Sequence, residues 1–207
     1  DNQTGRPVGL VYTTKMMRDA FVRFGRIISL DAMLRQYNSL HWPYIGPVIL
    51  DEEWQIVPVC EMLVISESHA AYAFAMNFLF ELEPQMKSQV HVLFSDCGLT
   101  DNFLDLIGLS RETTQLFWDH WHLLNKVWPE FFGITLYATH LKEPLTALCK
   151  ATTREKFDAA YQSAGTALAN NPGHLEYLKS FYDHPERFAQ FKINEVPGSL
   201  MRSGSQA

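Results

Sequence analysis

Hydrophobic positions change their spacing along the chain, and the changes mark its elements. In VYTTKMMRDAFVRFG, residues 11–25, Met17, Phe21 and Phe24 recur on one side of a helical period and Gly25 follows, which predicts a short helix ending there. RIISLDAML is β-branched and apolar, a strand with Asp31 in it or just past its end. Residues 46–66, GPVILDEEWQIVPVCEMLVIS, read as two strands around a turn at Asp51, Glu52 and Glu53. Proline cannot donate to a ladder, so Pro47 and Pro58 favour strand starts or edges at their own positions. ESHAAYAFAMNFLFELEP, residues 67–84, is the clearest helix: Ser66 or Ser68 can cap it and Pro84 marks its end. VHVLFSDC, 90–97, is a compact strand ending in Asp96, and GLTDNFLDLIGL supplies a helix capped near Thr100. TTQLFWDHWHLL, 113–124, reads as a strand passing into a helix.

From about residue 125 no strand pattern recurs. Helical segments at 140–150, 153–169 and 173–191 dominate, punctuated by Pro172, Pro185 and Pro197. Thr153 can cap one of them, with Lys156 where a capping box would place Glu. Three strands, then helix, strand, helix, strand, is an α/β arrangement with a mixed sheet of five strands. Right-handed crossovers place the fourth strand beside the first, which makes neighbours of Asp31 and Asp96, 65 residues apart in sequence. The expected organisation is a helical lead-in at 1–25, an α/β core at 26–130, an all-helical C-terminal insertion at 131–200 and a flexible tail at 201–207.

At 207 residues, 47% hydrophobic and 13% aromatic, the chain can bury a sizeable core. No apolar run is long enough to span a bilayer, and the start DNQTGRPVGL lacks the order of a secretory signal, so no membrane partner is expected. Cys60, Cys97 and Cys149 are odd in number and widely spaced, giving neither a disulfide framework nor a CxxC zinc site. That usage suits a reducing, intracellular compartment. The net charge of −6 argues against a whole-surface nucleic-acid binder, but it is uneven: +3 over 1–50, −9 over 51–110 and zero over 111–207. A DNA contact therefore needs a local patch, for which Arg18, Arg23, Arg26 and Arg35 are the first candidates; a solvated helix face explains them equally well. GxGxxG, GxxxxGK[ST] and GxSxG are absent from the sequence, so nucleotide-fold and serine-hydrolase readings lack support.

Two carboxylates side by side on adjacent strands repel, and burying both requires a proton or a cation. A divalent ion is the natural partner, since Mg²⁺ takes one or two carboxylates and keeps water and phosphate in its other positions. FGRIISLDAMLRQY, ILDEEWQIVPVCEMLVISESHAAYAFAMNFL, LFSDCGLTDNFLDLI and WDHWHLLNKV, taken in order, resemble the catalytic core of Mutator-like element (MULE) transposases from about residue 11 to 130. The resemblance implies a ribonuclease-H-like fold over the core, DDE chemistry with Mg²⁺ or Mn²⁺, DNA as partner (transposon ends and target), and a nuclear location. It leaves a homo-oligomer open. Asp31 matches the family's first catalytic aspartate and Asp96 the second. Asp119 with His122 matches its Cys-or-Asp, two residues, His element, as a support to the site or a DNA contact, and residues 125–200 have the composition of its helical insertion. The family's catalytic Glu follows that insertion in a segment resembling TSNxxES, whereas this sequence closes on RSGSQA. Glu155, Glu176, Glu186 and Glu195 lie inside the helical region without that context, so the third carboxylate is expected to be missing and metal affinity and catalysis weak. A domesticated, non-cleaving DNA-binding or regulatory relative is the alternative, and a self-contained ribonuclease-H-like nuclease a third.

FWDHWHLLNKVWP, residues 117–129, concentrates an aspartate, two histidines and three tryptophans. If the strand persists through it, His120 points to the face opposite His122 and drops out of the site. Trp118, Trp121 and Trp128 are expected in the core, with base stacking the rival role. The Asp51 to Glu53 turn is expected to solvate a hairpin, and Cys97 to be a buried thiol.

Overall fold

The computed structural model describes residues 9–33, 41–96 and 98–196; Arg35, Cys97 and Pro197 with the tail after it lie outside them. The chain divides into two compact units, one through Leu116 and one from Phe117 onward.

In the first unit the helix expected from residue 11 begins later. Thr14 accepts a hydrogen bond from the Met17 amide, and this N-cap sets the start of α1 (Lys15–Phe24). Val11 and Tyr12 fall instead in a strand, β1 (Gly9–Tyr12), paired antiparallel with β5 (Glu61–Val64). β2 (Ile27–Met33) pairs antiparallel with β3 (Tyr44–Leu50) and parallel with β6 (Val92–Ser95). β4 (Ile56–Pro58) and β5 both pair with β3, and β7 (Gln115–Trp118) adjoins β6. The order β1-β5-β3-β2-β6-β7, with β4 also on β3, makes a seven-stranded mixed sheet where five strands were expected. β1 accounts for one addition, and the split of 56–64 into two short strands accounts for the other.

Proline explains the split. Pro47 is buried in the middle of β3, opposite Leu30, and not at the strand start or edge that its chemistry favours. In an antiparallel strand a residue's N–H and C=O point to the same neighbour, and the Pro47 carbonyl accepts from Val59. The missing N–H of Pro47 therefore faces residues 59–60, where the partner run breaks between β4 and β5.

α2 (His69–Leu82) is capped by Ser68, whose side chain accepts from the Ala71 amide, and it packs on β1, β3 and β5. α3 (Asp101–Ile107) packs on α2 and ends at Gly108, whose φ of 68° is the left-handed conformation a helix C-terminus favours. Phe21, Ile28, Leu30, Ile45, Met62, Met76, Leu79 and Phe103 form the centre of the core between sheet and helices.

The second unit is helical after β7. α4 (His120–His122) runs through a π-helical turn (Leu123–Val127) into α5 (Trp128–Phe132), and Gly133, at φ 83°, separates it from α6 (Ile134–Leu136). A second π-helical turn (Tyr137–Leu141) leads to α7 (Lys142–Cys149), followed by α8 (Arg154–Ala167), α9 (Pro172–Tyr182) and α10 (Gln190–Ile193). Thr153 caps α8, as its sequence suggests, and Asn171 caps α9. The helix expected over 173–191 stops at Tyr182 because Pro185 follows. No described helix is long and apolar enough to cross a membrane.

Candidate functional site

Parallel pairing of β2 and β6 decides where the two strand-borne aspartates lie. The last registered pair is Leu30 with Ser95; Asp31 is the next residue of β2, and Asp96 follows β6 directly. Both lie at the same end of the β2–β6 pairing, on neighbouring strands, with Asp31 still paired to Gly46 of β3. Asp31 is exposed and Asp96 half-buried.

Further groups shape this end of the first unit. The Gly98 amide donates to Asp96 Oδ1 at 3.1 Å, closing a tight turn. A Cβ on Gly98 would itself lie 3.1 Å from that oxygen, so the turn favours glycine. His69 Nε2 donates to the Gly98 carbonyl at 2.7 Å, and its ring meets the Phe103 edge, tying the start of α2 to the Asp96 turn. Thr100 holds the N-cap position of α3 without a side-chain hydrogen bond, and Asp96 is occupied with Gly98 instead of capping. Tyr72, 4% exposed, donates from its hydroxyl to Glu67 Oε1 at 3.0 Å. Burial, and then the charges of Glu67, Asp96 and Asp31, push its phenol well above the ordinary range, so it stays protonated. A neutral phenol thus sits within electrostatic reach of three carboxylates.

Glu67, His69 and Tyr72 were not singled out in the sequence. Their signal is weak: helical period shows that α2 is buried, but not which turn of it meets the ends of β2 and β6.

The arginines of this unit are partly engaged. Arg18 Nε lies 3.9 Å from Glu83, and Arg23 pairs with Glu52 at 3.1 Å while covering the Phe24 ring. Arg26 is exposed, and its carbonyl accepts from the His91 and Val92 amides.

Asp119 and His122 belong to the second unit. β7 stops at Trp118, and Asp119 caps the helix that begins at His120, accepting from the His122 amide at 3.2 Å and from its Nδ1 at 2.8 Å. Burial opposes the Asp119 charge, but the His122 ring and the Trp121 and His122 amides outweigh it and hold the carboxyl below its usual range. Strand parity therefore does not govern His120, because the strand has already ended. His120 is 1% exposed, and its Nε2 donates to the Phe188 carbonyl at 2.5 Å, a structural tie inside the helical unit. Burial, the largest influence, pulls its pKa below the ordinary 6.5.

The three tryptophans part company. Trp128 is fully buried and Trp118 half-buried, both against Phe181 and Phe188. Trp121 departs from the expected burial, with 45% of its surface exposed. Of the glutamates in the helical region, Glu186 binds His184 and Glu195 binds Lys192, while Glu155 sits exposed in the first turn of α8.

Among the described residues no group of three or more His, Cys, Asp or Glu side chains is arranged to hold a metal ion. Two carboxylates on neighbouring strands, Asp31 exposed and Asp96 half-buried, are a donor set of the kind Mg²⁺ or Mn²⁺ accepts, because such ions keep most of their positions for water and substrate oxygens. The chain matches no protein-family model and no curated protein.

Proposed function

We propose that the chain is a ribonuclease-H-like catalytic core of the DDE transposase type, resembling MULE transposases, in which Asp31 and Asp96 hold Mg²⁺ or Mn²⁺ for work on DNA phosphodiesters. The observation that carries this reading is the parallel β2–β6 pairing, which brings two carboxylates to one sheet end from distant parts of the chain. When bound, the ion supplies charge neutralisation and lowers the pKa of a coordinated water or hydroxyl. The residues around it do the positioning. Gly98 and His69 fix the turn that carries Asp96, and Tyr72 donates to Glu67, which keeps that carboxylate oriented at the same end. Asp119 orients His122 as a supporting or DNA-contacting pair in the second unit. On this reading the protein would act on transposon ends and target DNA in the nucleus.

A second reading is a non-cleaving, DNA-binding or regulatory relative. It is favoured by the Tyr72–Glu67 bond, which engages the further carboxylate at this end with a phenol. Mn²⁺ titration followed by electron paramagnetic resonance tests the metal site. Asp31→Asn and Asp96→Asn should each weaken binding by at least the roughly tenfold that outer-shell changes alone can cost. Unchanged Mn²⁺ binding in both variants would sink the assignment, and binding without nicking of supercoiled DNA would select the second reading.

A further inference from the structure

Trp118, Trp121 and Trp128 lie within one short stretch, yet only Trp121 turns its indole outward, at 45% exposure. Two side chains meet the ring and a third meets the Trp121 backbone. The Lys126 ammonium lies 5.2 Å from its centroid, the His122 ring meets it edge-on at 5.1 Å, and the Asn125 amide donates to the Trp121 carbonyl at 3.0 Å.

This arrangement has a backbone cause. Lys126 follows Trp121 by five residues, a spacing that an α-helix carries roughly 140° round its axis. The π-helical turn at Leu123–Val127, closed by the Trp128 amide on the Leu123 carbonyl, fits an extra residue into the turn and swings Lys126 back over the indole. Such turns are rare and are found disproportionately where a side chain must be re-aimed for use. Asp119, the nearby carboxylate in the sequence, is already held by His122, so the charge presented beside the ring is that of Lys126.

A half-exposed indole with a cation held over its ring fits a ligand that carries a flat ring and an anion close together. An unpaired nucleotide has that form: its base can lie on the indole and its phosphate can meet the ammonium. A paired base cannot, because both of its faces are covered within the duplex. We propose that Trp121 and Lys126 form a stacking subsite for single-stranded nucleic acid. The proposal rests on the second unit alone and does not depend on metal at Asp31 and Asp96.

Fluorescence anisotropy with a labelled short oligothymidylate, in EDTA, tests it. The wild-type chain should bind the probe, and Trp121→Ala should weaken binding roughly five- to a hundredfold, the range for losing one base-stacking contact. Trp121→Phe should retain most of the affinity, and Lys126→Ala should lower it and flatten its salt dependence. Trp54→Ala serves as the control, since that indole is 59% exposed on a hairpin of the first unit and should leave binding unchanged. The proposal is overturned by absence of binding to the wild type, by equal binding in Trp121→Ala, or by an equal loss in Trp54→Ala. Equally tight binding of a duplex that ignores Trp121→Ala also overturns it, assigning the contact to the backbone. No divalent ion takes part, so loss of the metal reading and loss of this one are separate results.

Discussion

At the scale of single residues, the helical unit holds two side chains whose chemistry runs against their burial. Trp128 is fully buried and its indole N–H has no acceptor among the described residues. Trp128→Phe removes that orphaned donor while keeping a ring against Phe181 and Phe188, so the cost should stay under about 1.5 kcal/mol. Trp128→Ala opens a cavity and should cost about 3–5 kcal/mol; urea denaturation of both variants checks the contrast. His120 is the second case. Its folded pKa lies below the ordinary 6.5, so the unfolded chain takes up the proton first and stability must fall as pH drops through 6.5. Above that value the contribution is fully present. Melts at pH values either side of it should show this loss in the wild type and a shallower one in His120→Gln, whose amide can still donate to the Phe188 carbonyl.

At the scale of elements, close packing at chain reversals is the sensitive feature. A Cβ on Gly25 would fall 2.4 Å from the Phe21 ring and 2.5 Å from the Phe21 carbonyl, at the end of α1. Phe21 is itself fully buried and cannot retreat, so Gly25→Ala should destabilise the first unit by about 1–3 kcal/mol, measurable as a lowered midpoint in chemical denaturation. Elements with a strong local signal were legible in the sequence. Ser68 and Thr153 announced their helices, and the apolar runs of β2 and β6 announced their strands. What could not be read was decided by partners distant in the chain. β1 is four residues long and becomes a strand by pairing with β5, and Pro47 is tolerated inside β3 because the run facing it breaks. The end of β7 was equally hidden, since Trp118 and Trp121 suit strand and helix alike and only the Asp119 cap settles it. His120 was misplaced for that reason alone.

At the scale of the whole molecule, the candidate carboxylates were legible because strand order and crossover handedness are nearly enough to make neighbours of Asp31 and Asp96. Their surroundings were not, because nothing local to Glu67, His69 or Tyr72 says that α2 starts beside those strand ends. The charge distribution adds a constraint at this scale. Residues 51–110 carry −9, and Arg18 and Arg23 stand beside Glu83 and Glu52, so the first unit offers a cation more readily than a polyanion a place to bind. If one ion bridges Asp31 and Asp96, each carboxylate depends on the other. A double-mutant cycle on Mn²⁺ affinity, comparing Asp31→Asn, Asp96→Asn and the double variant, measures that dependence directly. With one ion held by both carboxylates, either single substitution should remove most of the binding and the second should add little. Losses that simply add, or affinity retained in the double variant, would contradict a shared site.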